Sequence, residues 1–207
     1  MSDDTILYTN PMSRGRIARW MLEETGIPYR TELIGYGAEM KAAAYRAINP
    51  LGKVPALHHR DHVINECAAI CAYLADAVPE ARLAPALPDR AAYYRWLFFA
   101  SGPLEAAVIN RSLGFEVPED KHARVGYGLW DAMMDTLEAA VTGSDFVAGP
   151  DFTAADVYVG SQIGWGLQFG TIEDRPAFRT YWQRLEDRPA RLRADALDNE
   201  AMAPSAG

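Results

Sequence analysis

Cysteine is scarce in this chain, which contains Cys67 and Cys71 and no others among its 207 residues. Two cysteines are too few for a disulfide framework, and their spacing does not match the C-x-x-C redox motif. Because residues four apart lie on one face of a helix, we expect two reduced thiols that share a face and are largely buried.

Long apolar runs and positive charge are also lacking. The sequence contains no stretch of about 18 uncharged apolar residues, so no transmembrane helix is expected. The first residues lack a basic segment followed by an apolar signal core, which favours a cytoplasmic location. The net charge of −8 disfavours nucleic acids and anionic membranes as general partners, although it is compatible with a local basic pocket.

Several kinds of chemical site are absent from the sequence pattern. The four histidines lie at no recognised metal-ligand spacing with cysteines or carboxylates, so no metal is expected. Neither a phosphate-binding glycine loop nor a serine-hydrolase elbow occurs. The length and the hydrophobic content of 49% nevertheless suffice for one large domain or two small ones with a substantial core.

The first part of the chain has the pattern of a small mixed sheet with helices. The periodicity predicts strands over 6–8, 29–34, 55–59 and 62–65, and helices over 13–25, 41–47 and 66–77. Gly26 should end the first helix, and Arg60-Asp61 should form the hairpin turn. The order β-α-β-α-β-β-α, with a right-handed parallel crossover first, is that of a thioredoxin-like domain.

The second part of the chain has a purely helical pattern. We expect a thioredoxin-like α/β domain over 1–80, a proline-rich linker over 81–88, an all-α helical bundle over 89–200 and a flexible tail over 201–207. The periodicity of the second domain predicts helices over 89–107, 120–141, 156–167 and 177–186.

A short motif predicts the start of the helix at 156–167. Thr153 is suited to the N-cap position and Asp156 to the third helical position, which gives a capping box with Asp in place of Glu. Phe152, just before the cap, can act as a hydrophobic staple. We expect this motif to stabilise the fold and to take no part in catalysis.

Residues 49–57 and 65–70 carry the strongest functional signal. The first segment reads NPLGKVPAL and the second NECAAI. Pro55 belongs at the first residue of a strand, and the Val54-Pro55 bond is a candidate for the cis form, which would turn the N–H and C=O of Val54 outward. A helix that starts near Glu66 and Cys67 offers unpaired N–H groups to a carboxylate. Together these features suggest capture of a small peptide with a free carboxylate.

These segments resemble the glutathione-binding half of cytosolic glutathione S-transferases. That family reads N-P-x-G-x-V-P-x-L and then E-S-x-A-I, and here only the serine differs, since Cys67 replaces it. Ser13-Arg14-Gly15-Arg16 also resembles the S-R-x-R run of one bacterial and fungal branch. The resemblance covers nearly the whole chain. It implies glutathione as co-substrate, a hydrophobic electrophile or a peroxide as second substrate, a homodimer and a role in detoxification.

The resemblance implies a group that makes the glutathione thiol a thiolate. A free thiol titrates near pH 8.5, and a hydroxyl donor together with the positive end of a helix favours its ionised form. Ser13, at the start of the first helix, is the best candidate donor, and Arg14 could add a positive charge. Tyr8 is a rival, although its place inside a strand favours a core role. Thr9 and Asn10 are weaker rivals.

The resemblance also implies partners for the rest of glutathione. Lys41 and Lys53 would face the glycine carboxylate, and Val54-Pro55 would align the cysteinyl backbone. Glu66 would pair with the γ-glutamyl ammonium, and Cys67 would offer its backbone N–H to the γ-glutamyl carboxylate. Because a thiol is a weak donor, the hydroxyl bond that serine gives in the family is lost here.

The second substrate would lie against the helical domain. Aromatic and proline side chains there are candidates for the walls of the electrophile pocket: Phe98, Phe99, Pro103, Trp165 and Phe169. Two other functions stay open, namely a glutathione-dependent disulfide reductase and a non-catalytic binding module of transferase-like fold. The first would have to work through bound glutathione, because no cysteine lies near Ser13.

Overall fold

The computed structural model describes residues 5–203, so most of the tail expected at 201–207 lies outside the described residues. The chain forms two compact units. The first runs to Arg82 and resumes at Arg188, and the second spans Leu83–Asp187. Within residues 5–203, no helix is both long enough and apolar enough to cross a membrane.

The first unit contains a sheet of four strands. They are β1 (Ile6–Thr9), β2 (Arg30–Leu33), β3 (Ala56–His59) and β4 (His62–Asn65), in the spatial order β2-β1-β3-β4. The pair β1–β2 is parallel, whereas β3 runs antiparallel to both β1 and β4. This arrangement confirms the predicted thioredoxin-like topology, including the hairpin turn at Arg60, whose φ is 56°.

The α-helices follow the predicted order with several differences. Within residues 5–203 they are α1 (Gly15–Thr25), α2 (Ala38–Lys41), α3 (Ala43–Arg46), α4 (Cys67–Ala77), α5 (Ala91–Phe99), α6 (Glu105–Ser112), α7 (Trp130–Thr142), α8 (Ala154–Phe169), α9 (Pro176–Gln183) and α10 (Pro189–Met202). As predicted, Gly26 ends α1 in the left-handed conformation, which glycine adopts without steric cost. Cys67 and Cys71 are both buried free thiols.

The helix predicted over 41–47 is wrong in its bounds. The extended backbone of Ala42 divides this region into α2 and α3. Lys41 therefore ends one helix instead of starting another. A cation at the C-terminal end of a helix is favoured by the helix dipole, so the helix position of Lys41 needs no ligand to explain it.

Two helices predicted in the second unit are also interrupted. The helix predicted over 89–107 contains a π-helical turn at Ala100–Leu104, because Pro103 lacks the N–H that a regular α-helix needs. The helix predicted over 120–141 becomes a 3₁₀ segment, Glu119–Arg124, followed by α7. Gly128 lies between them with φ 63°, a conformation that ends a helix.

Helix α10 was not predicted as a separate helix, and its residues were counted with the helical domain. In the structure it packs against α1 within the first unit. Arg19 Nε donates to Asp198 Oδ1 at 2.9 Å, and both side chains are buried. Arg193 Nε also donates to Glu23 at 3.0 Å. A buried guanidinium needs a partner, and α10 supplies it, which explains why this helix joins the first unit.

The capping box of α8 is confirmed. Oδ2 of Asp156 accepts bonds from the backbone N–H of Thr153 at 2.8 Å and from its hydroxyl at 2.9 Å. Oδ1 accepts from Val147 N–H and from the Tyr181 hydroxyl, both at 2.7 Å. Burial raises the pKa of the Asp156 carboxyl, and these four donors oppose that rise. The Phe152 ring lies edge-on to Phe146, with the ring centroids 5.7 Å apart.

Candidate active site

The Val54-Pro55 bond is cis, as predicted. Pro55 is buried directly before β3, and Val54 is half-buried. Within residues 5–203, no hydrogen bond occupies the backbone N–H or C=O of Val54. The two groups can therefore pair with an extended, peptide-like molecule in the manner of an added strand.

The turn before Val54 is held by side chains that bind its carbonyl oxygens. Lys41 Nζ donates to the carbonyls of residues 51 and 52 at 3.0 and 2.7 Å. The carbonyl of Lys53 accepts from the Tyr45 hydroxyl at 2.7 Å and from Asn49 Nδ2 at 2.8 Å. These contacts could not be predicted from the sequence pattern. They commit two of the three N–H donors of the Lys41 ammonium, whereas the Lys53 side chain is exposed.

Glu66 has an unusual backbone conformation at the start of α4. Its φ of 67° and ψ of 115° are rare for a residue with a side chain, and such strain concentrates at functional sites. The Glu66 side chain is exposed, and Cys67 follows as the first helical residue. Cys67 Sγ donates to the carbonyl of Arg14 at 3.4 Å, so the thiol links the starts of α4 and α1.

Ser13 lies in the loop 10–13 that connects β1 to α1. Its Oγ donates to the carbonyl of Asn10 at 2.6 Å and accepts from the N–H of Gly15 at 2.9 Å. The Asn10 carbonyl also accepts from the N–H of Ser13 at 3.0 Å. The hydroxyl can therefore turn toward another acceptor without leaving that carbonyl unpaired. No acidic residue lies in the first turn of α1, so the positive helix end is not neutralised locally.

The three rival donors differ in their surroundings. Tyr8 packs with its ring centroid 6.1 Å from that of Tyr45, in a small hydrophobic cluster. Thr9 is fully buried, and a Cβ on Gly15 would lie only 1.7 Å from its Oγ1, which explains the glycine. The amide of Asn10 binds inside the protein, to the carbonyl of residue 34 at 3.0 Å. Burial therefore argues against Thr9 and the committed amide argues against Asn10, whereas Ser13 and Tyr8 are both half-buried.

Two residues that the sequence reasoning missed brace the loop 10–13. Arg16 Nε donates to the carbonyl of Pro11 at 2.6 Å, and the Tyr36 hydroxyl donates to the carbonyl of Met12 at 3.0 Å. One signal was available for Arg16, because a cation in the first turn of a helix is disfavoured and calls for specific partners. No comparable signal marked Tyr36.

The predicted wall residues of the electrophile pocket all lie in the second unit. Phe98 is 65% exposed and Phe169 is 68% exposed, whereas Phe99, Pro103 and Trp165 are half-buried. Phe98 and Phe99 belong to α5 and Trp165 and Phe169 to α8, and these two helices pack against each other. Pro103 lies in the π-helical turn that follows α5.

Comparison with known proteins places these features in one family. Residues 12–77 match the family model described as glutathione S-transferase, N-terminal domain. Glutathione S-transferase 1 of Schizosaccharomyces pombe is 30% identical over 213 aligned positions, which cover 86% of this chain and 91% of that protein. Glutathione S-transferase GST-4.5 of Xanthomonas campestris is 26% identical, with coverage of 93% and 99%.

Solved structures that resemble this chain are also glutathione transferases. A theta-class glutathione S-transferase from Xanthomonas axonopodis, solved with glutathione bound, is 30% identical with a TM-score of 0.71, covering 93% of this chain and 97% of that one. A glutathione transferase from Methylococcus capsulatus is 26% identical with a TM-score of 0.78, with coverage of 95% and 99%. The chain belongs to the glutathione S-transferase family, and its function is that of a glutathione transferase.

Proposed function

We propose that the first unit binds glutathione along Val54-Pro55 and the start of α4, and activates its thiol for attack on a hydrophobic electrophile or a peroxide. The observation that carries this proposal is the unoccupied backbone of Val54 next to the cis bond, within the part of the chain that the structure describes. The solved relatives from Xanthomonas axonopodis and from a sphingomonad contain glutathione, which supports the same ligand here.

The ends of glutathione are assigned to charged and helix-terminal groups. The exposed Glu66 would bind the γ-glutamyl ammonium, and the backbone N–H of Cys67 would bind the γ-glutamyl carboxylate at the positive end of α4. Lys53 and the remaining donor of Lys41 would face the glycine carboxylate. The lysine contacts to the turn support Lys41 chiefly as a residue that shapes this region.

Thiol activation is assigned to Ser13 with help from Arg14. Ser13 is supported by its half-buried position at the start of α1 and by the second bond that the Asn10 carbonyl already receives. The second unit would supply the electrophile walls, of which Phe98 and Phe169 are the most exposed.

Further assignments rest on more general grounds. The S-R-x-R run at residues 13–16, with relatives in a bacterium and a fungus, supports the bacterial and fungal branch of the family. A homodimer is supported by the prevalence of two-fold assemblies. The free buried thiols of Cys67 and Cys71 are consistent with a reducing, cytoplasmic compartment and with a role in detoxification there.

Retention on immobilised glutathione, followed by three activity assays, tests this proposal. Retained protein that conjugates a chlorinated nitrobenzene or reduces cumene hydroperoxide supports it. Retained protein that reduces only a small disulfide would make the chain a glutathione-dependent reductase. Protein that is not retained would point to a binding module without bound glutathione.

Glu66→Gln should weaken glutathione binding by about 1.5–3 kcal/mol, the range for a hydrogen bond to a charged group. Calorimetric titration with glutathione measures the loss. Glu80→Gln is the matched control, because it also removes one exposed negative charge from the first unit but lies beyond the end of α4. Equal losses in both variants would show a general charge effect and remove Glu66 from the site.

Cys67→Ser should leave glutathione binding unchanged or improve it. A serine hydroxyl is a stronger donor than a thiol. With a small shift of the side chain, it could donate to the Arg14 carbonyl that now accepts from Sγ. The same titration measures affinity, and conjugation rates measure activity. Loss of activity in Cys67→Ser would reveal a role of the thiol that the present assignment lacks.

A further inference from the structure

Arg16 occupies a place that helix electrostatics does not favour. It lies in the first turn of α1, where the helix dipole repels a cation, and no acidic residue of that turn offsets its charge. Its side chain is nevertheless only 20% exposed. Such a residue is stabilised by particular partners, and the positions of those partners indicate what it does.

The partners of Arg16 lie on two different elements of the first unit. Nε donates to the carbonyl of Pro11 at 2.6 Å, inside the loop 10–13. The opposite end of the guanidinium reaches α10, where Nη2 donates to Asn199 Oδ1 at 2.8 Å and Nη1 lies 3.4 Å from Asp195 Oδ1. Nη2 is also 3.8 Å from the sulfur of Met202. Arg16 thus connects α10 to the loop that ends in Ser13.

The planar guanidinium makes this connection directional. Its N–H groups keep fixed angles to one another, so anchoring the Nη atoms on α10 also sets the direction of Nε toward Pro11. The Pro11 carbonyl lies two residues before Ser13, and the hydroxyl of Ser13 is bonded within the same short loop. A change at the α10 end should therefore alter the position of the Ser13 hydroxyl.

We infer that Arg16 is a positioning residue for thiol activation, through which α10 fixes the loop that carries Ser13. The inference rests on the proposed role of Ser13 in stabilising the glutathione thiolate. It also gives α10 a part in the chemistry, although no residue of that helix was predicted to belong to the site. Arg16 acts through Ser13 and does not itself contact glutathione.

Arg16→Met tests the inference, because methionine keeps much of the length but none of the donors. The pKa of bound glutathione, followed by ultraviolet absorbance of the thiolate, should rise by about half a unit or more. The rate of conjugation should fall several-fold near pH 6.5 and much less near pH 9, where most of the thiol is ionised in either protein. The KM for glutathione should change little.

Three further variants separate positioning from other effects. Arg16→Lys keeps the charge but cannot bind the Pro11 carbonyl and Asn199 together in the same geometry. Its effect on the thiol pKa should therefore resemble that of Arg16→Met. Asn199→Leu removes only the α10 end, so it should raise the thiol pKa in the same direction by less. Arg193→Met is the matched control, because it removes a contact between α10 and Glu23 far from the loop, and it should leave the thiol pKa unchanged.

The outcomes keep this inference apart from the proposed function. If Ser13→Ala raises the thiol pKa but Arg16→Met and Asn199→Leu do not, the positioning role is wrong and thiol activation stands. If wild-type protein binds glutathione without lowering its thiol pKa, the proposed activation itself fails. If Arg16→Lys behaves as wild type, the effect is one of charge, and the positioning role is again overturned. If Arg16→Met does not fold, Asn199→Leu decides between these results.

Discussion

Ser13→Ala is expected to raise the pKa of glutathione bound to the protein by about one unit or more, since one charge-assisted hydrogen bond is lost from the thiolate. Conjugation near pH 6.5 should slow by about tenfold, and the loss should shrink near pH 9. Glutathione affinity should change little, because Val54 and Glu66 lie on other segments. Ultraviolet titration of the bound thiolate is the direct measurement.

To stabilise the glutathione thiolate, the Ser13 hydroxyl would have to turn away from its present acceptor. Oγ now donates to the carbonyl of Asn10, which also accepts from the N–H of Ser13 at 3.0 Å. Turning the hydroxyl toward a thiolate therefore leaves no carbonyl unpaired. The bond from the Gly15 N–H to Oγ can persist during this rotation and keeps the oxygen in place.

Two comparisons make the Ser13 result specific. Ser13→Thr retains a hydroxyl and should restore most of the lowered thiol pKa, which a purely structural defect of the loop would not allow. An unchanged pKa in Ser13→Ala together with a raised pKa in Tyr8→Phe would transfer the role to Tyr8. If neither variant altered it, backbone groups and Arg14 would be the remaining explanation.

Features with a local cause could be predicted from the sequence. The cis bond at Val54-Pro55 and the capping box at Thr153 and Asp156 each depend on a few adjacent residues whose backbone preferences are strong. Up to residue 77, and apart from the break at Ala42, the order of strands and helices followed from hydrophobic periodicity, which is well defined in short elements bounded by glycine or proline.

Features that depend on distant partners could not be predicted. Arg19 stands in a helix face that is otherwise apolar and buried, which signals a buried partner but does not identify it. The partner is Asp198, 179 residues away in α10. The same limit applies to the site. The helix position of Arg16 signals a need for partners but does not identify Asn199, and the partners of Lys41 are carbonyl oxygens that folding brings close.

The largest effect on stability is expected at Asp156. Asp156→Asn keeps the shape of the side chain but replaces one acceptor oxygen with an NH₂ group. In one orientation this group faces the N–H of Val147, and in the other it faces the N–H of Thr153. The hydroxyls of Thr153 and Tyr181 can rotate to accept a bond, but a backbone N–H cannot. One buried N–H is therefore left unpaired in either orientation, at a cost of about 1–3 kcal/mol.

Asp156→Ala removes both acceptor oxygens and should cost more, about 3–5 kcal/mol, because both N–H groups and the Tyr181 hydroxyl lose their partner. For a chain of this size each kcal/mol should lower Tm by about 2–4 °C, measured by circular dichroism at one protein concentration. Asp151→Asn is the matched control, since Asp151 is exposed just before the cap and should change stability by less than about 0.5 kcal/mol.

The order of the three variants is the decisive result. Donor pairing requires that alanine destabilise most, asparagine less and the exposed control hardly at all. If Asp156→Asn were as stable as wild type, the two backbone N–H groups would not depend on this carboxylate, and the desolvation that raises its pKa would be the larger influence on stability. Glutathione binding by the asparagine variant below its Tm should stay close to wild type, because the capping box lies in the second unit and the proposed glutathione groups in the first.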